Sequence, residues 1–281
     1  MHTSVFLDEA VEALQVAQKG LYIDATYGKG GHSRKIASMG GKVLAIEWDP
    51  VQIPNEKQKN IDIAKGNYAD IAFIAKQYGF APVDGVLFDF GLSMDQLNEG
   101  KKGLSYRKLD EVLDMRISNV GITAQEVLEQ YSEEELRDAF MKYSEEIKSE
   151  DIAKQIVIQR RKKPIVRVGD LLSVIDRAIK GLKDSREYAQ KVYSRIFQAL
   201  RIIVNEEFIN INKGLEGALQ LLKPGGRIVT ITFHSLEDRM VKLFAREHKT
   251  EVTEEKVDVG RIRGLRSFER SAMLRIIEKR T

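Results

Sequence analysis

Three glycines in four positions, Gly28, Gly30 and Gly31, lie within the stretch DATYGKGGHS at residues 24–33, directly after a short apolar segment. A turn this rich in glycine lets the backbone adopt positive φ angles and lets a ligand approach the bare main chain. Core packing alone does not require such a turn. The stretch therefore predicts a ligand site where a strand runs through a turn into a helix.

Short apolar segments of the buried parallel-strand type recur along the chain, at residues 21–26, 42–48, 83–91 and 227–234. Helical patterns lie between the first of these segments. Strands that alternate with helices predict right-handed β-α-β crossovers and a doubly wound α/β sheet. A last strand candidate lies at residues 271–280.

The middle of the chain has a different pattern. No strand signal is convincing between residues 104 and 222, where TAQE at 123–126 and SEEE at 132–135 fit helix capping boxes. One apolar stripe, typical of core packing, marks a helix at about residues 189–204. We therefore predict a helical domain inserted into an α/β domain, with divisions at residues 1–103, 104–205 and 206–281.

Composition narrows the class of protein. The 281 residues include 45 basic and 42 acidic side chains and no cysteine, so disulfides and thiolate metal sites are excluded. The four histidines are scattered without the spacing of a metal site, and we expect no metal. Because no apolar run is long enough to span a bilayer and the first residues lack a signal-peptide pattern, we expect a cytoplasmic protein with no membrane partner.

Three kinds of ligand suit the glycine turn. A nucleoside triphosphate is excluded because no Lys followed by Ser or Thr closes the turn. A dinucleotide is disfavoured, since Ser33 stands where the third glycine of G-x-G-x-x-G belongs. S-adenosylmethionine carries no phosphate and requires backbone N–H groups, an acid for its ribose and polar groups around its adenine and amino group.

Polar side chains at successive strand ends could supply those groups. They are Asp24, Glu47, Asn67 with Tyr68, and Asp89. All would face the crevice at the carboxyl edge of the sheet, where open α/β folds bind ligands. Alternatives stay open, because Asp49 could be the ribose acid, Tyr68 could belong to the core and His32 could cap the following helix.

The sequence closely resembles the bacterial 16S ribosomal RNA cytosine N4-methyltransferases, known as RsmH or MraW. The resemblance covers most of the chain in the order of that family, through HTSVFLDEAVEAL, DATYGKGGHSRKI, DFGLSMDQL, KGLSY, LDMRI, RIFQALRIIVNEE, LKPGGRIVTITFHSLEDRMVK and RSAMLRIIEKR. It implies a class I, Rossmann-like S-adenosylmethionine-dependent methyltransferase with an inserted helical domain.

The resemblance also implies which residues bind the cofactor. Gly30, Gly31 and His32 would hold its methionine part, Glu47 its ribose and Tyr68 its adenine, and Asp89 and Gln96 would close the site. The sequence EWDP places Glu47 where the family commonly has aspartate in DRDP. A carboxylate is kept, with one more methylene of reach.

Methylation of the exocyclic amine of cytosine requires hydrogen-bond acceptors, because the amine must lie in line with the sulfonium methyl while charge develops. Asp89 is our candidate acceptor. His234, in TFHSLEDR at the end of the returning strand, could orient the base or take a proton, or it could merely bind the turn that follows.

The expected partner is 16S ribosomal RNA or the small ribosomal subunit. Two basic stretches could contact RNA phosphates: RRKK at 160–163, and residues 260–281 with seven basic and two acidic side chains. The sequence leaves open a homodimer. It also leaves open three other functions: a non-catalytic RNA-binding or assembly factor, an NAD-dependent oxidoreductase and a small-molecule methyltransferase.

Overall fold

The computed structural model describes residues 4–54, 56–92, 96, 101–181, 185–258 and 271–281. The chain divides into two compact units, Met1–Gly91 with Phe208–Thr281 and Leu92–Glu207. Residues 102–115 bond within the second unit, where Met115 N–H donates to Lys102 O and Leu113 N–H to Val166 O. The two units divide at residues 91/92 and 207/208. The domain limits predicted from the sequence, at 103/104 and 205/206, stay a proposal.

Helices and strands alternate at the start and end of the chain. The helices are α1 (Leu7–Ala13), α2 (Gly31–Ser38), α3 (Ile71–Gln77), α4 (Ala124–Gln130), α5 (Glu133–Ser144), α6 (Ser149–Arg160), α7 (Val168–Ile179), α8 (Arg186–Val204), α9 (Glu207–Leu221) and α10 (Ser235–Glu247). The strands are β1 (Leu21–Asp24), β2 (Lys42–Glu47), β3 (Ile61–Lys65), β4 (Val83–Asp89), β5 (Leu222–Thr232), β6 (Val252–Val257) and β7 (Met273–Lys279). Among the described residues, no helix combines the length and apolar character needed to cross a bilayer.

The first unit contains a seven-stranded sheet in the order β3-β2-β1-β4-β5-β7-β6. The strands β1 to β5 pair in parallel, whereas β7 runs antiparallel to both β5 and β6. This arrangement confirms the predicted doubly wound α/β fold and each of the predicted strands. Sequence reasoning missed β6, because four exposed polar residues in VTEEKV give it no apolar run.

Both faces of the sheet are covered by helices, which explains why its central strands are continuously apolar. One core packs α3, α9 and α10 against the sheet through residues such as Ile71, Leu215 and Phe244. The other packs α1 and α2 against the opposite face, with Val11 and Ile36 buried. Parallel strands covered in this way bring their carboxyl ends to one edge of the sheet.

The second unit is helical, as predicted. Both capping boxes are present, from Thr123 to Glu126 at the start of α4 and from Ser132 to Glu135 at the start of α5. In α8, the predicted stripe is buried at Val192, Ile196, Ala199 and Leu200, while Ile203 is half-buried. Asp114 accepts two hydrogen bonds from Arg116, of 2.8 and 2.9 Å, and Arg116 Nη1 donates to the carbonyl oxygens of Asn119 and Gly121 at 3.2 Å each, so this pair stabilises a local loop of the second unit.

The predicted RNA contacts at the end of the chain are wrong for Arg275. Its guanidinium is 6% exposed and donates to Asp238 at 2.6 and 3.0 Å, and also to Glu254. Lys279 Nζ donates to two backbone carbonyl groups at 3.0 Å each, and Arg280 Nε donates to Val252 O at 3.3 Å. The other four basic residues, Arg261, Arg263, Arg266 and Arg270, lie outside the described residues.

The other basic stretch, RRKK at 160–163, is also partly used by the fold. Arg160 Nη1 donates to the carbonyl oxygens of Leu128 and Tyr131 at 2.7 and 2.6 Å. These are carbonyl groups at the end of α4, which have no partner within their own helix. Arg160 therefore stabilises a helix terminus of the second unit.

Candidate active site

The glycine turn joins β1 to α2 at the carboxyl edge of the sheet. Gly30 has φ +69° and is the residue before the first turn of α2. A Cβ atom on Gly30 would lie 2.5 Å from the Tyr27 ring, and one on Gly31 would lie 2.0 Å from Ser4 Oγ. Gly30 therefore requires glycine for its positive φ, and the side chains of Tyr27 and Ser4 pack closely against the main chain at Gly30 and Gly31.

A fully buried carboxylate lies beneath this turn. Asp24 accepts a hydrogen bond from Ser33 Oγ at 2.6 Å and another from the Thr26 N–H at 3.3 Å. The Thr26 hydroxyl in turn accepts from the Asp89 N–H at 2.7 Å, which links β1 to β4. Sequence reasoning noticed Ser33 only as a missing third glycine. Its hydroxyl satisfies a buried carboxylate, and a glycine there could not.

Glu47 ends β2 and binds the glycine turn directly. Its Oε2 accepts from the Gly28 N–H at 2.8 Å and its Oε1 from the Asp49 N–H at 2.7 Å. Burial raises the pKa of Glu47 to about 7, against the opposing effect of these two hydrogen bonds. Asp49, the alternative ribose acid, is 8% exposed and accepts from the Val51 N–H at 3.0 Å.

Asp89 ends β4 with one carboxylate oxygen unsatisfied. Its Oδ1 is buried and has no hydrogen-bond donor among the residues that the structure describes. Burial, together with the negative charges of Asp24 and Glu237, raises the pKa of Asp89 to about 8. A buried acceptor without a donor is costly to the fold, and it is a ready partner for a cationic ligand group.

His32 lies beside Asp89 in the first turn of α2. The ring is 3% exposed, its Nε2 is 3.1 Å from Val5 O, and its Nδ1 is 3.9 Å from Asp89 Oδ2. Because a carbonyl oxygen can only accept, Nε2 carries the proton and donates it to Val5 O. Burial lowers the pKa of His32, so the ring is held neutral. No cap hydrogen bond of α2 comes from this side chain.

Tyr68 follows β3 and is half-buried in a short 3₁₀ turn, Tyr68–Asp70. Asn67 caps that turn by accepting from the Ala69 N–H at 2.9 Å. The Tyr68 ring makes edge contacts with Phe88 and Phe90, with ring centres 5.8 Å apart in each case. The ring therefore has an aromatic support from β4 and the residue after it.

His234 is the N-terminal cap of α10. Its Nδ1 accepts from the Glu237 N–H at 3.3 Å, and its Nε2 lies 3.0 Å from Glu237 Oε1. Glu237 Oε2 accepts from the His234 N–H at 3.4 Å, which completes a capping box, and also from the Phe233 N–H at 2.8 Å. This geometry corresponds to the simpler of our two interpretations of His234, a histidine bound to the following turn.

The structure thus brings the glycine turn, His32, Glu47 and Asp89 together through hydrogen bonds and short contacts in the first unit. Tyr68 and His234 lie after β3 and β5 at the ends of other strands of the same sheet. Gln96 is half-buried and helical, and it belongs to the second unit.

The sequence matches the model of the MraW methylase family over residues 1–280. The chain belongs to the MraW methylase family. Membership confirms the S-adenosylmethionine-dependent methyltransferase class predicted from the sequence. The observed strand order, with β7 antiparallel beside β5, is accordingly that of a class I methyltransferase sheet.

Curated relatives cover most of this methylase. A ribosomal RNA small subunit methyltransferase H of Shewanella woodyi is 40% identical over 256 residues, which span 88% of this chain and 80% of that protein. A protein of the same name from Thermomicrobium roseum is 42% identical over 255 residues, spanning 87% and 77%. A third, from Brevibacillus brevis, is 39% identical over 251 residues, spanning 86% and 79%.

Proposed function

We propose that this methylase transfers a methyl group from S-adenosylmethionine to the N4 amine of a cytosine in 16S ribosomal RNA of the small subunit. The family membership and the names of its relatives support the reaction class and the ribosomal RNA. The choice of the cytosine N4 atom rests on the sequence resemblance. The observation that carries the proposal is the buried Asp89 Oδ1, which has no donor among the described residues.

The residues at the carboxyl edge fit S-adenosylmethionine. When bound, the cofactor supplies an electrophilic methyl group on a positively charged sulfur. Asp89 offers an unsatisfied acceptor for its amino group, and Glu47 offers a carboxylate for its ribose. The backbone of the turn at Gly30 and Gly31, which leads into the N-terminus of α2, suits the methionine carboxylate together with the adjoining His32, and Tyr68 suits the adenine. We assign Gln96 to the same site on the resemblance alone.

Asp89 also has the properties of the acceptor that the reaction needs. An exocyclic amine is a weak nucleophile, since its lone pair is conjugated with the ring, and it must be oriented with its N–H groups satisfied. A carboxylate in a buried environment interacts strongly with charge that develops next to it. We therefore assign Asp89 to both cofactor binding and amine positioning. We assign orientation of the base to His234 on its place after β5 alone, since the contacts of its ring in the structure are those of a helix cap.

The deciding experiment measures methyl transfer from labelled S-adenosylmethionine to small subunits isolated from cells that lack this protein, followed by nucleoside analysis. We expect N4-methylated cytidine at one position of the 16S RNA. Cofactor binding without transfer would favour the alternative, a non-catalytic RNA-binding or assembly factor. The mass of the purified protein in solution, measured on the same preparation, tests the possible homodimer.

We further propose that the protein acts in the cytoplasm, where small subunits are available as substrate. Cell fractionation followed by detection of the protein in the ribosomal fraction tests this. Recovery mainly with membranes would contradict it.

A further inference from the structure

A basic cleft of about 920 Å³ lies in the first unit, away from the carboxylates described above. One wall is the outer side of α2, with Arg34 and Ser38, and the other is the loop that precedes β3, with Lys57, Lys59 and Asn60. We propose that this cleft binds the phosphate backbone of the RNA substrate. The inference rests on the proposed function, because it supplies a second contact for the same RNA.

The basic side chains of the cleft make no stabilising polar contact with the rest of the described chain. Arg34, Lys57 and Lys59 are exposed, and within the described part of the chain none of them forms an ion pair or a side-chain hydrogen bond. The neighbouring Lys35 differs, since its Nζ is 2.8 Å from Asp8 Oδ1. Among the described residues that line the cleft, Glu56 is the one with an acidic side chain. Three unpaired cations against one carboxylate favour an anionic ligand.

The loop before β3 holds Lys59 in a defined position. Residues 58–61 form a tight turn closed by the hydrogen bond from the Ile61 N–H to Gln58 O at 3.3 Å, with Lys59 and Asn60 at its tip. Asn60 has φ +63°, and its carbonyl oxygen accepts from the Val43 N–H at 2.9 Å on β2. Lys59 therefore projects from a turn that is fixed to the sheet.

The shape and position of the cleft favour RNA over a small molecule. Sites for small ligands enclose most of the ligand surface, whereas this cleft is open, and charged and polar side chains line it together with Ala37, Pro54 and Ile61. One hydrogen bond connects the cleft to the glycine turn, from Gln58 Nε2 to the Tyr27 hydroxyl at 2.6 Å. The cleft and the proposed cofactor site therefore belong to the same unit and are linked through Tyr27.

The test removes the three charges together in Arg34→Gln/Lys57→Gln/Lys59→Gln. Binding of full-length protein to naked 16S ribosomal RNA and to small subunits is measured between 50 and 300 mM salt. Each lost phosphate contact lowers the slope of log affinity against log salt by roughly 0.7 to 0.9. We expect the slope to fall by about two and the RNA affinity to fall roughly tenfold at 100 mM salt, with S-adenosylmethionine affinity unchanged.

A matched control removes three lysines elsewhere on the first unit, in Lys76→Gln/Lys213→Gln/Lys249→Gln, all of which are exposed. An equal loss in this control, or an unchanged salt slope in the cleft variant, would overturn the proposal. Weakened binding to small subunits with normal binding to naked RNA would also overturn it, and would indicate an acidic ribosomal protein. Methyl transfer by the unsubstituted protein, measured in parallel, tests the proposed function separately.

Discussion

Two groups of acids in the first unit lie in opposite electrostatic environments. In α10, Asp238 is 4% exposed and receives two hydrogen bonds from Arg275 of β7, whose guanidinium also donates to Glu254. These contacts hold the pKa of Asp238 below its ordinary value, although burial opposes them. The acid is therefore ionised and part of the fold.

The acids at the carboxyl edge have no such cation. Among the described residues, no Lys or Arg side chain forms an ion pair with Asp24, Glu47 or Asp89, and burial raises the pKa of the last two. Strongly perturbed acids in a crevice are characteristic of sites that bind or react with a ligand. An acidic residue that is paired with a basic side chain of the protein, as Asp238 is, stabilises the fold. An acidic residue that lacks such a partner, as Asp89 does among the described residues, indicates a site where a ligand supplies the cationic group.

The largest expected effect is on stability, at the paired acid. Asp238→Asn should lower the free energy of unfolding by about 3 kcal/mol, because it leaves a buried guanidinium without its principal partner. Urea denaturation with a structural probe for the first unit measures the change. Lys242→Gln serves as the control, since Lys242 Nζ lies 3.4 Å from Asp238 but is 51% exposed, and it should change stability by less than 1 kcal/mol. If Asp238→Asn also changed the free energy of unfolding by less than 1 kcal/mol, the ion pair with Arg275 would not stabilise the fold as we argue.

The next effect is on function, at the unpaired acid. Asp89→Asn should lower S-adenosylmethionine affinity and methyl transfer by roughly 100-fold, since a charge-assisted hydrogen bond to the ligand is lost. The free energy of unfolding should not fall, because no protein donor depends on Oδ1 among the described residues. Calorimetric binding, single-turnover transfer and urea denaturation separate these outcomes.

Asp62→Asn is the matched control for Asp89, since Asp62 is an exposed aspartate on β3 of the same sheet. It should leave all three quantities unchanged. Unchanged cofactor affinity and unchanged transfer in Asp89→Asn would exclude our assignment of Asp89. A large loss of stability in that variant would instead show that Asp89, like Asp238, stabilises the fold.

The sequence was sufficient to assign residues to the carboxyl edge of the sheet, but it did not predict the side-chain hydrogen bonds and ion pairs of the first unit. Apolar runs end where parallel strands end, so Glu47 and Asp89 could be assigned to strand ends from the sequence alone. The interaction of Arg275 with Asp238 could not be foreseen, because it depends on β7 running antiparallel to β5 and facing α10. For the same reason, a basic stretch that looks like an RNA contact contains a buried ion pair.

Two residues of the site illustrate a second limit. Ser33 and His234 each carry a side chain that could serve either a ligand or the backbone, and spacing along the chain does not distinguish these roles. In the structure, Ser33 binds the Asp24 carboxylate and His234 caps its own helix. Both interactions are local, within nine residues, yet each depends on the rotamer that packing selects.

A smaller loss of stability is expected from Ser33→Ala. The variant removes the 2.6 Å hydrogen bond to Asp24 and leaves a fully buried carboxylate with only the Thr26 N–H at 3.3 Å, which should cost about 2 kcal/mol. Ser38→Ala is the control, because the exposed Ser38 hydroxyl donates to a carbonyl of its own helix and should change stability by less than 0.5 kcal/mol. Equal effects of the two substitutions would mean that Asp24 is satisfied in another way.

The smallest effect, and the one that tests the comparison directly, is the pH dependence of stability in the protein without cofactor. The pKa of Asp89 rises on folding from 3.8 to about 8, so the folded state binds the proton more tightly. The stability that this acid contributes is therefore present in full below pH 3.8 and is lost as the pH rises through about 8. Asp89→Asn lacks this loss, and its stability relative to the unsubstituted protein should increase by roughly 1 kcal/mol between pH 6 and 7.

Asp238 should behave in the opposite way. Because its pKa is lowered on folding, its contribution is present above the ordinary pKa of an aspartate and is lost only as the pH falls through the lower, folded value. The stability difference between Asp238→Asn and the unsubstituted protein should thus be constant between pH 6 and 8. Urea denaturation at half-unit pH intervals measures both differences. If the stability difference between Asp89→Asn and the unsubstituted protein does not change with pH, the Asp89 carboxylate is already ionised in the cofactor-free protein. The carboxyl edge would then accommodate this negative charge without a cationic ligand.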